Sequence, residues 1–95
     1  MSARGAQPAI ERRVPLPLAF DTAIGYWTGE PDWDLLEHAL RSSSEIARLL
    51  PDLRRGPVEL DGVKLWIEGA VLVLWGVPEA VERLAAEIEG RLAEG

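Results

Sequence analysis

Hydrophobic residues change period three times along this chain, and each change predicts a new element. From Leu16 the pattern alternates. Leu16, Leu18, Phe20, Ile24 and Tyr26 fall on one side, interrupted by Thr22, and Pro17, Ala19, Asp21, Ala23, Gly25 and Trp27 fall on the other. Period two predicts a strand over Val14 to Trp27. Pro15 and Pro17 force an extended entry and forbid central ladder bonds there. A bend or break near Asp21-Thr22 leaves two short strands as an alternative to one.

Thr28-Gly29-Glu30-Pro31 punctuates, and the period then becomes helical. Pro31 suits the first helical position, where its missing N–H has no intrahelical partner to lose. Asp32 and Asp34 follow where acids complement the positive end of the helix dipole. Trp33, Leu36, Leu40, Ala47 and Leu50 recur at helical spacing, widened by Leu35, Ala39, Ile46 and Leu49, and Pro51 is expected to end the run. Ser42-Ser43-Ser44-Glu45 is a weak point, since Ser42 with Glu45 three residues later matches a capping box. One kinked helix and two helices both fit. Leu53 to Pro57 reads as a loop.

Val58 to Leu74 returns to period two as a meander. Asp61-Gly62 is a type I′ hairpin signal, and Gly69-Ala70 suits a type II′ turn. Gly76 closes the last strand. Pro78 opens a second helix carrying Val77, Val81, Leu84, Ala85, Ile88 and Leu92 at intervals of three and four, with Gly90 as an early stop. The order β-α-β-β-β-α predicts an α+β two-layer sandwich: a mostly antiparallel sheet of three or four strands with two helices on one face. A ferredoxin-like outline is one arrangement of that order. Residues 1–13, small and polar, are expected to form a flexible N-terminal arm, and residues 14–95 a single domain.

The turn at Gly69-Ala70 sets the register, opposing Glu68 to Val71, Ile67 to Leu72, Trp66 to Val73, Leu65 to Leu74 and Lys64 to Trp75. Directly opposed residues share a face. One face then holds Val63, Leu65, Ile67, Leu72 and Leu74 and should meet the helices. The other holds Lys64, Trp66, Glu68, Val71, Val73 and Trp75, and the first strand's sparse side places Trp27 beside them. The expected interface is therefore Trp27, Lys64, Trp66, Val71, Val73 and Trp75. Three indoles exceed the apolar patch a monomer usually exposes, roughly 300–600 Å². Hiding about 500 Å² is worth on the order of 12 kcal/mol before entropic costs. Three covers fit: a twofold mate, which is favoured; the chain's own N-terminal arm; or a different protein or flat apolar ligand.

Composition narrows the partners. The chain has 95 residues, 47% hydrophobic and 27% charged, ordinary material for one globular domain. No run of apolar residues is long enough to span a membrane, and no apolar leader is expected at the N-terminus. The net charge of −6 opposes non-specific nucleic-acid binding. Absence of cysteine excludes disulfides and thiolate metal sites, and fits a cytoplasmic location. Basic residues are almost all Arg, and Asn and Cys are absent, a bias that suits a thermophile or a GC-rich coding sequence.

The motifs that carry chemistry are weak. His38 is the sole histidine. Asp34, one turn earlier, can share a cation with it, but two ligands do not close a zinc site unless a dimer supplies two more. Ser42, one turn beyond His38, has no evident oxyanion hole. The glycines match neither the dinucleotide fingerprint nor the P-loop. Glu59, Asp61 and Glu68 mark solvent-facing positions, and Arg54-Arg55 a solvated pair. The sequence assigns no catalytic, cofactor-binding or metal residues and no cofactor. The expectation is a cytoplasmic homodimer: a non-catalytic interaction protein that self-associates through its tryptophan-bearing sheet face. The alternative is a small-molecule binding module using that aromatic face or a pocket at the dimer seam.

Overall fold

The computed structural model of the chain describes residues 8–94. Its elements are β1 (Ile10–Pro15), β2 (Leu18–Asp21), β3 (Tyr26–Pro31), α1 (Trp33–Ala39), α2 (Ser44–Arg55), β4 (Val58–Leu60), β5 (Val63–Glu68), β6 (Val71–Gly76) and α3 (Pro78–Glu94). Four strands form one antiparallel sheet in the order β1-β6-β5-β4, and β2 pairs only with β3 in a separate hairpin. The fold is an α+β sandwich, as the pattern predicts. The meander runs β4-β5-β6, and β1 adds beside β6. This differs from a ferredoxin-like outline, because α3 follows the last strand instead of leading into a further one.

One core fills the space between sheet and helices. The sheet contributes Val14, Val63, Leu65, Leu72 and Leu74, all from one face. Leu36 and Leu40 come from the α1 segment, Ile46, Leu50 and Leu53 from α2, and Val81, Leu84, Ala85 and Ile88 from α3. The register of β5 on β6 is the one read from the sequence, pair for pair. Asp61 and Gly62 both take positive φ, 52° and 80°, as the I′ turn requires.

Residues 8–31 depart most from expectation. Strand β1 begins at Ile10, so the ordered chain starts four residues earlier than the pattern suggested; residues 1–7 of the expected arm lie outside the described residues. Arg12 hid this strand. It occupies a helix-facing position between Ile10 and Val14, where its guanidinium pairs with Glu82 and Glu89 of α3. The expected strand over Val14 to Trp27 is split. Pro15 ends β1, and the Asp21 carboxylate accepts the Ala23 N–H at 2.9 Å to turn the chain at residues 22–25.

The helical half differs in detail. The first helix is two, α1 and α2. Pro31 is not the first helical residue but ends β3; Asp32 caps α1, which starts at Trp33, and accepts the Leu35 N–H at 3.1 Å. Ser43, not Ser42, occupies the N-cap of α2 and makes no side-chain bond there. Pro51 does not end α2; it sits inside it, and Leu53 is a core residue of the helix, not of a loop. Gly90 does not stop α3. Gly76 marks a close approach: a Cβ there would lie 2.6 Å from the Gly62 carbonyl oxygen.

Candidate interaction surface

The sheet face turned away from the helices carries Glu11, Arg13 and Pro15 from β1, Val71, Val73 and Trp75 from β6, Lys64, Trp66 and Glu68 from β5, and Glu59 from β4. A polar clamp runs obliquely across it, from Glu11 beside Trp75 through Arg13 to Glu68 beside the Gly69-Ala70 turn. Arg13 pairs with Glu11 at 2.8 Å and reaches across β6 to Glu68 at 3.4 Å, and the Trp66 indole N–H donates to Glu68 at 2.7 Å. That indole bond, with Arg13 as the lesser cause, holds the Glu68 carboxyl below its ordinary value. The bond to Glu11 in turn raises Arg13 further above its already high value.

At the end away from that turn Trp75 is 48% exposed, between Glu11 of β1 and exposed Lys64 of β5. With Pro57 and Trp66 they line a shallow trough of about 540 Å³. Lys64 makes no ion pair among the described residues.

The six residues expected to form the interface do not lie together. Lys64, Trp66, Val71, Val73 and Trp75 share the open face. Val73 is 0% exposed, because its cross-strand neighbours Arg13 and Trp66 flank it on both sides, so it offers nothing to a partner. Trp66 is half-buried. Trp27 is not on the sheet at all: the turn at residues 22–25 carries it into the hairpin, opposite Phe20. Of the N-terminal segment weighed as a lid, the part from Ile10 lies beside β6 as an edge strand, not over the face, and residues 1–7 lie outside the described residues.

The larger apolar surface is the hairpin. Tyr26, Trp27 and Ile24 are 70%, 64% and 61% exposed, and Leu18 and Phe20 are exposed as well. Phe20 and Trp27 meet edge to face, ring centroids 4.9 Å apart. At the base the hairpin is tied by Leu16 N–H to the Ala70 carbonyl (2.9 Å) and Asp32 N–H to the Pro17 carbonyl (2.8 Å). Beyond the base β2 and β3 pack chiefly on each other. The molecule accordingly measures 60 × 24 × 22 Å, with a radius of gyration of 14.7 Å; a compact chain of this length has about 12–13 Å. The break near Asp21-Thr22 was one of the sequence's alternatives; that the two strands pair only with each other was missed, because alternation reports a strand without saying what the strand packs on. The signal was present in Asp21-Thr22 and in Gly25, whose φ of 73° closes the turn.

Other candidates bring little together. Asp34 and His38 lie exposed on α1, and among the described residues no group of three or more metal-ligating side chains is gathered. Arg54 stacks over the Trp33 ring, 5.4 Å from its centroid, beside an open groove of about 550 Å³ bounded by Glu30, Arg55 and Trp66. No helix among the described residues is long and apolar enough to cross a membrane. No family model matches the chain, and neither a curated protein nor a solved structure matches it. Its surfaces are therefore read from their own chemistry.

Proposed function

We propose that this chain is an interaction protein that works by self-association, without catalysis. One observation carries the reading. Five large apolar side chains between Leu18 and Trp27 are exposed on a hairpin whose strands, beyond its base, pack chiefly on each other, and Trp75 is exposed on the open sheet face. A two-stranded hairpin is marginal in water by itself. At about 150–250 Å² for a whole aromatic side chain, the hairpin's exposed fractions come to on the order of 500 Å² of apolar surface. Spread over both faces of the hairpin, with Trp75 on a separate face of the four-stranded sheet, this area is comparable to the roughly 300–600 Å² of the largest apolar patch on a typical monomer.

Light scattering over a range of protein concentrations tests this. The expected result is a mass twice that of the 10.4 kDa chain at micromolar concentration, reduced to the single-chain value by Trp75→Lys. A single-chain mass for the wild type at every concentration overturns the reading.

A second reading has its own observation. The groove between Trp33 and Trp66 has the volume of a ligand pocket, within the usual range of about 300–1,000 Å³. In this reading a small flat ligand with an anionic group sits there against Arg54 and Arg55. A thermal-shift screen of such compounds would raise the melting midpoint on binding.

A further inference from the structure

We propose that the outer edge of β1 pairs with the same edge of a second copy, antiparallel about a twofold axis at Arg12, with Glu11 of each copy opposite Arg13 of the other. This rests on the self-association reading and names a contact through which the two copies meet.

Among the described residues, β1 and β4 are the edges of the four-stranded sheet. β4 has three residues and follows Pro57, so it offers little backbone to a partner. β1 has six. Just past it, the Leu16 N–H donates to the Ala70 carbonyl at 2.9 Å, on the β6 side. Backbone groups alternate in direction along a strand, so those of Ile10, Arg12 and Val14 also face β6. Those of Glu11, Arg13 and Pro15 turn outward. Pro15 has no N–H to give, which limits pairing at that end. Glu11 and Arg13 therefore carry the outward donors and acceptors at the middle of the edge.

This edge is its own complement. A charged edge discourages pairing with most strands, and the charges here select one register with a second copy. Glu11 opposite Glu11, or Arg13 opposite Arg13, sets like charges against each other and is destabilising. Glu11 opposite Arg13 sets unlike charges together, and the twofold axis repeats the pair. Each such pair exchanges both of its backbone hydrogen bonds, and Ile10 then lies opposite Val14 on the helix side. On the open face Glu11 accepts from Arg13 of the second copy, while its own Arg13 keeps Glu68, 3.4 Å away. At the axis the two Arg12 side chains meet on the helix side, each already held by Glu82 and Glu89 of its own α3. Glu82, Ala86, Glu89 and Ala93 form one stripe of α3 at helical spacing, and its exposed alanines leave room for the α3 of the second copy.

The exposed apolar groups fall beside this contact. Trp75 lies opposite Glu11 on β6, so Trp75→Lys sets a cation beside Glu11 in competition with Arg13 of the second copy. The hairpin leaves β1 through Pro15. In this register Pro15 lies opposite Ala9 of the second copy, so the hairpin sets out beside the end of that copy's sheet that holds Trp75 and Lys64.

The chain contains no cysteine, so introduced thiols report contacts against a clean background. Opposed residues of a hydrogen-bonded antiparallel pair have Cα atoms about 5.5 Å apart, within disulfide reach. Glu11→Cys and Arg13→Cys chains, one carrying a size tag, are mixed at micromolar concentration and oxidised. The expected dominant product is the mixed disulfide joining position 11 of one chain to position 13 of the other. Homodimers of the Glu11→Cys chain, or of the Arg13→Cys chain, as the dominant product overturn the register and leave self-association standing. So does a doubled mass with no cross-link. A single-chain mass with no cross-link, in wild type and variants alike, removes both. Charge reversal gives an independent check. Glu11→Arg makes the edge wholly positive and Arg13→Glu makes its outward face wholly negative. Each variant alone should self-associate about tenfold more weakly than wild type, and an equal mixture of the two should regain the doubled mass. A mixture that associates no better than either variant alone contradicts the pairing.

Discussion

The sandwich and the hairpin use the same residues to opposite ends. In the sandwich, apolar side chains at alternate strand positions are buried: Val63, Leu65, Leu72 and Leu74 all lie beneath the helices. In the hairpin Leu18, Phe20, Tyr26 and Trp27 are as apolar and also strand-borne, yet Pro31 is the only buried residue of either strand. The difference is not in the strands. It lies in whether the chain supplies a layer to pack on them. A period-two pattern states what a strand needs, and only the rest of the molecule decides whether that need is met.

The sharpest way to break this comparison is to truncate one residue from each region. Leu74→Ala, at a site with no exposure, should cost about 2–5 kcal/mol. Phe20→Ala in the hairpin should shift the single-chain stability by no more than about 0.5 kcal/mol. Urea denaturation at a concentration low enough to keep single chains measures both. Comparable losses would mean that the hairpin is part of the cooperative core.

Gly76 sharpens the comparison from the sheet side. Its added methyl would press on the Gly62 carbonyl oxygen and on the backbone of Val63. Gly76→Ala should therefore cost about 1–3 kcal/mol, where Gly29→Ala in the hairpin meets no atom within 4 Å and suffers only from its φ of 81°. Gly76 also takes a positive φ, 157°, so the melting temperatures compare crowding added to backbone strain with backbone strain alone.

Much of the sandwich was legible in the sequence. The β5–β6 register followed from one two-residue turn, because side-chain alternation and turn geometry allow a single pairing. The hidden elements were those whose cause lies far along the chain. Arg12 reads as a polar residue of a loose arm until Glu82 and Glu89, on the last helix, explain it. Pro51 reads as a helix stop, although it lies exposed within α2 while Leu50 and Leu53 on either side are buried. The candidate surface was half legible. Trp66 and Trp75 fell on the expected face, but Trp27 was misplaced because a turn at residues 22–25 breaks the alternation that put it there. Glu11 and Arg13, which make the β1 side of that face polar, could not be placed without knowing that β1 joins the sheet.

Smaller effects test the polar groups on both faces of the β1 edge. Arg12→Ala removes ion pairs that are partly exposed, so the expected loss is only about 0.2–1 kcal/mol. A larger loss would show that Arg12 contributes through its buried stem. Glu68 has a clear pH signature. Its carboxyl is held below 4.5 in the folded chain, first by the Trp66 indole and then by Arg13. A depressed carboxyl favours the fold above its unfolded value, and that contribution disappears as pH falls through the folded value. The Trp66 indole N–H resonance should titrate with a midpoint below 4.5, and Glu68→Gln should abolish the transition. A midpoint at or above 4.5 would mean that the clamp is open in solution.

The most direct test of the missing layer is backbone hydrogen exchange in residues 18–31 as a function of protein concentration. The account predicts that these amides exchange freely in dilute solution and become protected as the mass doubles, while protection in β5 and β6 changes little. Unchanged fast exchange in the hairpin at high concentration, with the mass remaining that of one chain, would contradict it.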